Sequence, residues 1–514
     1  MPFSSLFWLG ENQTKVISKQ IADASTEGAQ QTAFLTSIIS EFENSEFRQY
    51  MDVADRYYRN QNDILEAKRQ VIGKDANNNP VLMESKVLTN NKLCHNFMKK
   101  LTRQKIGYML GKPFTLTANK VDDEKAEKFF DLCYQHYFGK SFFKMIKNVG
   151  RDSIVKALGW LHVYYDEEGE MKFMRCAPEE IIPLWADSDH TELDAVVRKY
   201  AVEQYIGETK KTIKYVDYYT REGVYHYVYN DTGKLVPDTS KSFKTPHFSV
   251  RDTDKDGVQH DIPVNWAKIP FIPFKYDPDE QSLLVRIKSL IDDYDKKTSG
   301  IANNIDDFPN STIVVKNYDG ESKEEFVHNK NQYRTIFVQG DGDAKPMETP
   351  LNVEEVDKHI QRLREDIYEF GQGINTADKD IRDTSGVALR FLYGDLDMDC
   401  IDWGGEVEWS IMSLLWFIQQ DLMAKNKGDY TDVEYSVMFN TDMIINETET
   451  IQNCFTSSGI ISDRTIAANH PWVRNTEKEL KDKLDEQGEI LDLEAEYGNK
   501  TATNPAKGQR TESV

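Results

Sequence analysis

The stretch from Asp277 to Lys425 constrains the fold most, because its pattern predicts two helices separated by a small β insert and followed by a third, longer helix. The first helix has a strong start signal, with Asp277 as N-cap, Pro278 at the first helical position and Glu280 completing a capping box. Its apolar residues recur at helical spacing and are Leu283, Leu284, Ile287, Leu290, Ile291 and Tyr294. Continued to Ile305, this helix would be roughly 40 Å long.

The second helix of the stretch is predicted to begin with Asn352 as N-cap and Glu355 three residues later, and Gly371 and Gly373 end it. Its apolar residues alternate three and four apart, which predicts a narrow packing seam of Val353, Val356, Ile360, Leu363, Ile367 and Phe370. A polar loop then leads to the third helix, which opens at Ser385. Two paired helices with an insert at one end and a loop at the other indicate a strut rather than a catalytic pocket.

Length and charge narrow the class of protein. A chain of 514 residues exceeds what one hydrophobic core usually serves, so two or more compact units are expected. The formal net charge of −23 argues against a protein that coats nucleic acid, because neutralising phosphates requires a basic surface. The five cysteines form no CxxC pair, which favours free thiols and folding in a reducing cytosol. The N-terminus lacks the pattern of a signal peptide, and the longest apolar run, Ile411 to Ile418, is too short to span a bilayer.

The rest of the chain mixes helical and strand patterns, so the α+β class is predicted. Helical patterns cover 33–70, 92–109 and 122–149. The second of them carries a basic cluster of Lys99, Lys100, Arg103 and Lys105. A β-rich unit follows, with a hairpin at 159–173 and strands at 196–202, 211–220 and 224–229.

Further strands are predicted at 311–316 and 333–338 in the insert, joined through the turn at Asp319–Gly320, and at 433–439. Residues 446–487 have a helical pattern, which Gly459 and the His470–Pro471 pair interrupt.

Two ligand-binding motifs are present only in part. Gly107–Pro113 has three residues between its glycines where a phosphate loop has four, and Pro113 stands where Ser or Thr would bind Mg²⁺. Asp252–Gly257 matches the first half of an EF-hand loop, but Pro263 occupies the position of the bidentate glutamate. We interpret the two segments as a surface lysine after a helix and a surface turn. Neither HExxH nor GxSxG occurs, so the sequence predicts no enzyme, no cofactor and no metal.

An acidic run that covers the loop before the third helix and the first part of that helix has three interpretations. Seven aspartates oppose Lys379, Arg382 and Arg390, and they are Asp378, Asp380, Asp383, Asp395, Asp397, Asp399 and Asp402. Such carboxylates could converge on the two Mg²⁺ ions of a nuclease, form a solvated face, or border a water-filled passage. The residues alone leave all three open.

Five segments carry a resemblance through their order along the chain. They are Tyr57–Ile64, the helix from Asn90 that ends in Gly107-Tyr108-Met109-Leu110-Gly111-Lys112-Pro113, the hairpin from Gly159 followed by Pro178-Glu179-Glu180, Ser385-Gly386-Val387-Ala388-Leu389 with Tyr393, and Gly459–Ser462 with Pro471 and Glu479. Together they resemble the portal proteins of tailed bacteriophages, of the kind found in siphophages of Gram-positive bacteria. The first segment has Asn60 where that family usually has glycine.

The resemblance implies a multidomain α+β portal fold with long stem and spine helices, a small β/α clip, a β-rich wing and a helical crown. The implied boundaries are 1–277 with 426–446 for the N-terminal arm and wing, 278–305 and 351–371 for the stem, 306–350 for the clip, 372–384 for the tunnel loop, 385–425 for the spine, 447–498 for the crown and 499–514 for a disordered tail.

The resemblance also implies roles for individual residues. The loop facing DNA would contain Asn375, Asp378, Lys379, Asp380, Arg382 and Asp383. The spine-helix motif would be Ser385, Gly386, Ala388, Leu389 and Tyr393, and the stem would pack through Val353, Val356, Ile360, Leu363 and Ile367.

The implied function is a ring of about twelve subunits at one capsid vertex, through which double-stranded DNA is packaged and ejected. Its partners would be the terminase large subunit, the major capsid and scaffolding proteins and a head-completion adaptor. The protein would belong to the virion after assembly in the host cytoplasm, with no membrane involved. The alternatives are a Mg²⁺-dependent nuclease that uses the Asp378–Asp402 run and an assembly or scaffold component without a channel.

Overall fold

The computed structural model describes residues 28–74, 79–85, 88–120, 123–253, 259–307, 311–316, 322, 343–348, 353–376, 386–440, 447–470, 472–473 and 479–484. These residues contain both helices and strands, and the strands between 158 and 275 follow one another without an α-helix, so the α+β class is confirmed. The α-helices with assigned bounds are α1 (Ala29–Asn44), α2 (Glu46–Tyr58), α3 (Phe97–Met109), α4 (Glu124–His136), α5 (Lys140–Lys156), α6 (Leu283–Asp307), α7 (Val353–Phe370), α8 (Gly386–Ala424), α9 (Glu447–Thr456) and α10 (Asp463–Asn469).

The strands are β1 (Gln70–Lys74), β2 (Pro80–Glu84), β3 (Thr115–Ala118), β4 (Leu158–Tyr165), β5 (Met171–Cys176), β6 (Ile181–Trp185), β7 (Leu193–Ile206), β8 (Thr209–Thr220), β9 (Gly223–Tyr229), β10 (Leu235–Pro237), β11 (Lys244–Thr245), β12 (Phe248–Thr253), β13 (Gln259–Val264), β14 (Phe271–Lys275), β15 (Ser311–Lys316), β16 (Asp343–Glu348) and β17 (Tyr435–Met438). The largest sheet has the order β10-β9-β8-β7-β6, with β11 also on β9, and a three-stranded sheet has the order β14-β4-β5. The remaining pairs are β1–β2, β12–β13, β15–β16 and β3–β17.

The chain divides into two compact units. The first contains Met1–Asn375 and Asp395–Asp442, and the second contains Thr376–Gly394 and Met443–Val514. Within the described residues, no helix is long and apolar enough to cross a membrane. The five cysteines are free thiols, of which only Cys94 is not buried.

The predicted β-rich unit is confirmed, and a helix covers its large sheet. The alternating residues of β7 and β8 put Val197 and Val216 on one face, where both are fully buried. Leu35 and Ile39 of α1 lie four residues apart and pack onto this face. The helix and the sheet therefore share one hydrophobic core.

The start predicted for the first helix of the pair is wrong, because α6 begins at Leu283. The Asp277 side chain accepts a hydrogen bond from the Asp279 amide (2.9 Å), and Glu280 adopts a left-handed φ of 55°, which no helix residue has. The hydroxyl of Ser282 then accepts from the Leu284 amide (3.2 Å) at the start of the helix. The predicted apolar face is confirmed, and its fully buried residues are Leu283, Leu284, Ile287 and Ile291.

A polar face of α6 binds the extended segment 89–95, whose direction is opposite to that of the helix. The bonds join the amides of His95, Leu93 and Asn91 to Asp295 Oδ1 (3.0 Å), Ser299 Oγ (2.9 Å) and Asn303 Oδ1 (2.6 Å), respectively. Two extended residues advance about 6.6 Å and four helical residues about 6 Å, so alternate amides meet successive turns. The helix predicted over 92–109 therefore begins only at Phe97, because the preceding amides bond to α6.

The second helix of the pair, α7, packs on α6 through a shorter seam than predicted. Leu363 and Ile367 are buried, whereas Val356 and Ile360 are only partly buried. Phe370 is 55% exposed, so its place in the seam is wrong. Tyr368 is buried instead, with its ring 6.0 Å from that of Phe97.

Several predicted helices are divided. Residues 33–70 form α1, α2, a 3₁₀ turn and β1, because the Ser45 hydroxyl accepts from the Arg48 amide (3.2 Å) and starts a new helix. Residues 122–149 form α4 and the first part of α5, with Gly139 as the N-cap of the second. The helical pattern of 446–487 is broken where predicted at Gly459, whose φ is 82°.

The predicted strand at 311–316 is confirmed as β15, and its partner is β16. The other strand predicted in the insert, at 333–338, and the turn at Asp319–Gly320 lie outside the described residues. The suspected calcium motif begins in β12 of a β-hairpin, and its residues from Asp254 to Gly257 also lie outside them.

Asn60 has a φ of 63°, in the left-handed region that glycine enters freely. Asparagine tolerates this conformation better than other residues with a side chain. Asparagine at position 60 is therefore compatible with the backbone observed there.

Asp295→Ala should lower the free energy of unfolding by about 3 kcal/mol, because the substitution removes a buried acceptor and leaves its hydrogen-bond donors without this partner. The Asp295 side chain is fully buried and accepts from the His95 amide, from His95 Nδ1 (2.7 Å) and from Asn62 Nδ2 (2.7 Å). The measurement is thermal unfolding followed by circular dichroism. Asp293→Ala is the control on the same helix, because Asp293 is exposed and should cost less than about 1 kcal/mol. Equal unfolding temperatures for the two variants would contradict the role of the buried carboxylate.

Candidate functional site

One buried carboxylate, Asp399, joins four elements where the helix pair meets the long helix α8. Its Oδ2 accepts from Lys105 Nζ (2.6 Å) and from the Tyr276 hydroxyl (2.7 Å), and its Oδ1 accepts from Arg286 Nη1 (2.8 Å). Lys105 lies on α3, Tyr276 follows β14 and Arg286 lies on α6. The side chain of Lys105 is fully buried, and that of Asp399 is 5% exposed.

The cluster perturbs the protonation of its members. Burial lowers the pKa of Lys105 below its ordinary value, and the neighbouring Asp399 carboxylate only partly opposes this effect. Burial and the Asp399 charge raise the pKa of Tyr276 well above its ordinary value, which keeps the phenol protonated as a donor. Burial opposes the charge of Arg286, but the Tyr276 and Asp399 oxygens give a net rise in its pKa.

Helix α3, together with Arg286 of α6, also holds the chain where it leaves α7. Lys105 Nζ also donates to the Gln372 carbonyl oxygen (2.9 Å), and Arg286 Nη1 donates to Gln372 Oε1 (2.6 Å). The neighbouring Gln104 makes two bonds to one residue, donating from Nε2 to the Ile374 carbonyl oxygen (2.7 Å) and accepting at Oε1 from the Ile374 amide (3.1 Å). We call Gln104, Lys105, Arg286 and Asp399 the loop anchor, because they fix the first residues of the predicted tunnel loop.

Glycine is required beside the loop anchor by close packing. A Cβ at Gly371 would lie 2.7 Å from Leu101 Cδ1, and one at Gly373 would overlap Leu101 Cδ2. The prediction that these glycines end α7 is confirmed by its last residue, Phe370, but it is Gln372 that has the left-handed φ (47°). Their absent side chains let the chain pass directly over α3.

Of the predicted DNA-facing residues, only Asn375 lies within the described part of the chain. Its Oδ1 accepts from Arg364 Nη2 (3.3 Å), so this end of the loop is also held by α7. Asp378, Lys379, Asp380, Arg382 and Asp383 lie outside the described residues.

Of the predicted spine motif, Ser385 lies outside the described residues, and Gly386, Ala388 and Leu389 form the start of α8. Tyr393 is buried in the same helix. Val353, the first predicted residue of the stem seam, is the first residue of α7.

The second half of the acidic run lies in the long helix predicted from Ser385 and not in the loop before it. Asp395, Asp397, Asp399 and Asp402 all lie on α8, where only Asp395 and Asp402 are exposed. Asp397 accepts from the Tyr108 hydroxyl (2.7 Å), and the charge of Asp399 is balanced by Lys105 and Arg286. Within the described residues, no three His, Cys, Asp or Glu side chains are placed to hold a metal ion. These contacts give Asp397 and Asp399 a structural role, which does not favour their use in a nuclease.

Sequence reasoning missed most of the loop anchor. Lys105 belongs to the predicted basic cluster, and its residue type does not distinguish it from Arg103, which is exposed. Its partner Asp399 is 294 positions away in the chain. The only available signal was the apolar spacing on α3, which puts Lys105 four residues after the buried Leu101 and on its face of the helix.

Comparison with known proteins identifies the class. The family model described as phage portal protein, SPP1 Gp6-like, matches residues 39–492. The portal protein of Bacillus phage SPP1 is 27% identical over 503 residues, covering 96% of this chain and 93% of that protein. The portal protein of Clostridium phage phiCD119 is 28% identical over 461 residues, covering 86% and 93%. A chain from the solved structure titled "Neck of empty GTA particle computed with C6 symmetry" aligns with a TM-score of 0.37 and 10% identity, covering 72% of this chain and 88% of that one.

The match along most of the chain, in addition to the helix pair and the long helix, defines a phage portal protein. The chain belongs to the SPP1 Gp6-like family of phage portal proteins. Members of this family are structural components of the virion at the capsid, and the resemblance inferred from the sequence motifs is confirmed.

Replacing Asp399 should destabilise the protein strongly, because the buried Lys105 and the partly buried Arg286 would lose their counter-charge. We expect Asp399→Asn to lower the free energy of unfolding by about 3–5 kcal/mol. Asp402→Asn, an exposed site on the same helix, should change it by less than about 0.5 kcal/mol. Thermal unfolding of Asp399→Asn, Lys105→Met and the double variant would measure the coupling, expected at about 2 kcal/mol. Additive effects of the two changes would contradict a direct interaction.

Gln104→Ala should release the start of the loop while α3 stays intact, because both bonds to Ile374 come from this side chain. Limited proteolysis should then cut within 372–384 about 5–10-fold faster, since a loss of about 1–1.5 kcal/mol raises local opening by that factor. Arg103→Ala is the matched control, because Arg103 is exposed on the preceding position of the same helix. Equal cleavage rates for the two variants would refute the anchoring role of Gln104.

Proposed function

We propose that this portal protein forms a ring of about twelve copies at one capsid vertex and that double-stranded DNA passes through its axial channel during packaging and ejection. The family match over residues 39–492 is the observation that carries this proposal. Closure by rotation requires each copy to present two different surfaces, which meet in every contact around the ring.

We assign the parts of the ring from the boundaries that the resemblance implies. The stem comprises 278–305 and 351–371, in which α6 and α7 are the helices, and the clip is the insert 306–350 between them. The wing is formed by 1–277 with 426–446, the spine by 385–425, which includes α8, and the crown by 447–498. The clip is the surface offered first to the terminase large subunit and later to a head-completion adaptor, and the outer surfaces meet the major capsid and scaffolding proteins.

The tunnel loop, 372–384, is the part of the channel assigned to DNA. Asp378, Asp380 and Asp383 give it a repulsive surface, and Lys379 and Arg382 make brief contacts with phosphates. A basic loop would release counterions from DNA and hold it tightly, which would stall transport. The loop anchor supports this role, since Gln104, Lys105 and Arg286 transfer any force on the start of the loop to α3 and to the stem helix α6.

The energy for transport comes from a separate motor in this proposal. The interrupted phosphate-loop motif at Gly107–Pro113 supports that division of labour, because it lacks the hydroxyl that would bind Mg²⁺. The protein then serves as the DNA channel and as the binding site for its partners. Its residues need only withstand force and bind DNA weakly.

The ring is tested by negative-stain electron microscopy with light scattering on the same sample. Annular particles with a central hole and a mass near twelve chains of 59.4 kDa are expected. An assembly without a continuous axial passage, formed in the presence of the scaffolding protein, would favour the assembly-component alternative.

Asp378→Lys, Asp380→Lys and Asp383→Lys together should leave ring formation unchanged but lower DNA packaging at least about tenfold at low salt, because three phosphate contacts are added to the channel. Packaging should recover partly as salt is raised, since each phosphate contact weakens with ionic strength. Glu124→Lys, Glu127→Lys and Asp131→Lys, on the exposed face of α4, make the same change in net charge and serve as control. Equal packaging by the two triple variants would refute the assignment of the loop to the channel.

A further inference from the structure

The long helix α8 is apolar on two opposite faces. Its inner face is buried in the first unit through residues three and four apart, which are Leu396, Cys400, Trp403, Val407, Ile411, Leu414, Leu415, Ile418 and Leu422. A helix with one such stripe and a polar outer face would be an ordinary surface helix. The outer face of α8 departs from this pattern.

The outer stripe of α8 consists of Met398, Ile401, Trp409 and Met412, at intervals that return to one side of a helix. Met398 and Ile401 are 63% and 64% exposed, and Trp409 and Met412 are exposed by more than a third. The stripe is about 21 Å long at about 1.5 Å per residue. Gly405 lies at its centre with open space around its Cβ position, so another backbone or side chain can approach closely there.

A half-buried acid lies at the edge of the stripe. Within the described part of the chain, the carboxylate of Glu406 has no hydrogen-bonding or ion-pairing partner. It shares an open pocket with Trp409, His190, Lys275 and Glu280. The two side chains of this pocket that can carry a positive charge already pair with Glu280. His190 Nδ1 lies 2.7 Å and Lys275 Nζ 3.4 Å from Glu280 Oε1. Burial raises the pKa of Glu406 above its ordinary value, and the charge of Lys275 only partly opposes this effect.

We propose that the outer stripe of α8, from Met398 to Met412, packs against a neighbouring copy of this chain and that Glu406 receives a basic side chain of that copy. This inference rests on the proposed ring. A ring contact joins two different surfaces, so the stripe and the surface that covers it lie on opposite sides of one protomer.

The negative net charge of the chain favours a largely apolar contact between copies. Copies with a net charge of −23 repel one another, so a stable contact requires apolar surface with few acids inside it. Methionine and tryptophan are enriched at the centres of protein interfaces, and a desolvated acid next to them strongly selects a cation. The stripe combines these features on one rigid helix.

The first test is a photocrosslink. Benzoylphenylalanine at position 409 in the full-length chain should join two protomers on irradiation, giving a band of twice the chain mass on a denaturing gel. The same group at position 205, where Tyr205 is 74% exposed on β7, should give less than a tenth of that product. A product confined to one chain, or no product in assembled wild-type-like rings, would overturn the proposal.

The second test changes the stripe itself. Ile401→Glu with Met412→Glu should lower the ring fraction at least about tenfold at equal protein concentration and leave the circular dichroism of the protomer unchanged, because both side chains are exposed. Glu406→Lys should do the same by placing two cations together, and Glu406→Gln should reduce the salt dependence of assembly. Tyr205→Glu is the control for an exposed apolar-to-acid change.

The outcomes separate this inference from the proposed function. Rings that persist in the Ile401→Glu, Met412→Glu variant would refute the contact and leave the portal ring intact. If the double variant fails to fold, the crosslink at position 409 decides alone. Intermolecular crosslinks without any closed ring, even with scaffolding protein, would uphold the contact between copies and refute the ring.

Discussion

The buried Asp399 carboxylate is the interaction on which the central architecture depends. A carboxylate removed from water is tolerated only when cations and donors surround it, so its partners must all be present at once. Those partners come from α3, from α6 and from the end of β14, and the carboxylate itself comes from α8. One charge therefore joins α3, α6 and α8, which are far apart in the chain. Lys105 extends the cluster to the Gln372 carbonyl oxygen, so the start of the loop is held by the same charge balance.

A second constraint acts along α6. Its apolar face is buried in the unit, and its polar face is occupied by the extended segment 89–95, so the helix is held from two sides over several turns. Because the repeat of an extended chain matches that of the helix, the bonds recur without strain. A helix held in this way resists bending, which is the property that a strut between the insert and the rest of the molecule requires.

The sequence predicted what repeats locally and missed what joins distant residues. The long helix was predicted from 385 to 425 and observed from Gly386 to Ala424, because its apolar spacing is continuous. The predicted start of α6 is wrong, because the capping box of Asp277 and Glu280 does not form: the Asp277 side chain accepts from the Asp279 amide, and the Glu280 side chain pairs with His190. Asp295, Ser299 and Asn303 look like a solvated face until the segment that covers them is seen. Asp399 likewise looks like one member of an acidic run, and only its contacts with the buried Lys105 and the partly buried Arg286 give it a different role.

Charge placement connects the loop, the ring and the outer stripe of α8. At physiological ionic strength, exposed charges interact over about 8 Å, so repulsion between copies depends on the acids close to their contact. The outer stripe of α8 contains methionine, isoleucine and tryptophan for about 21 Å, with Glu406 as the half-buried acid beside it. The excess of acids is consequently tolerable if it lies on the surfaces that face solvent or DNA. In the proposed ring, an acidic wall would let DNA slide and an apolar contact would hold the copies together, so the same net charge would serve transport without opposing closure of the ring.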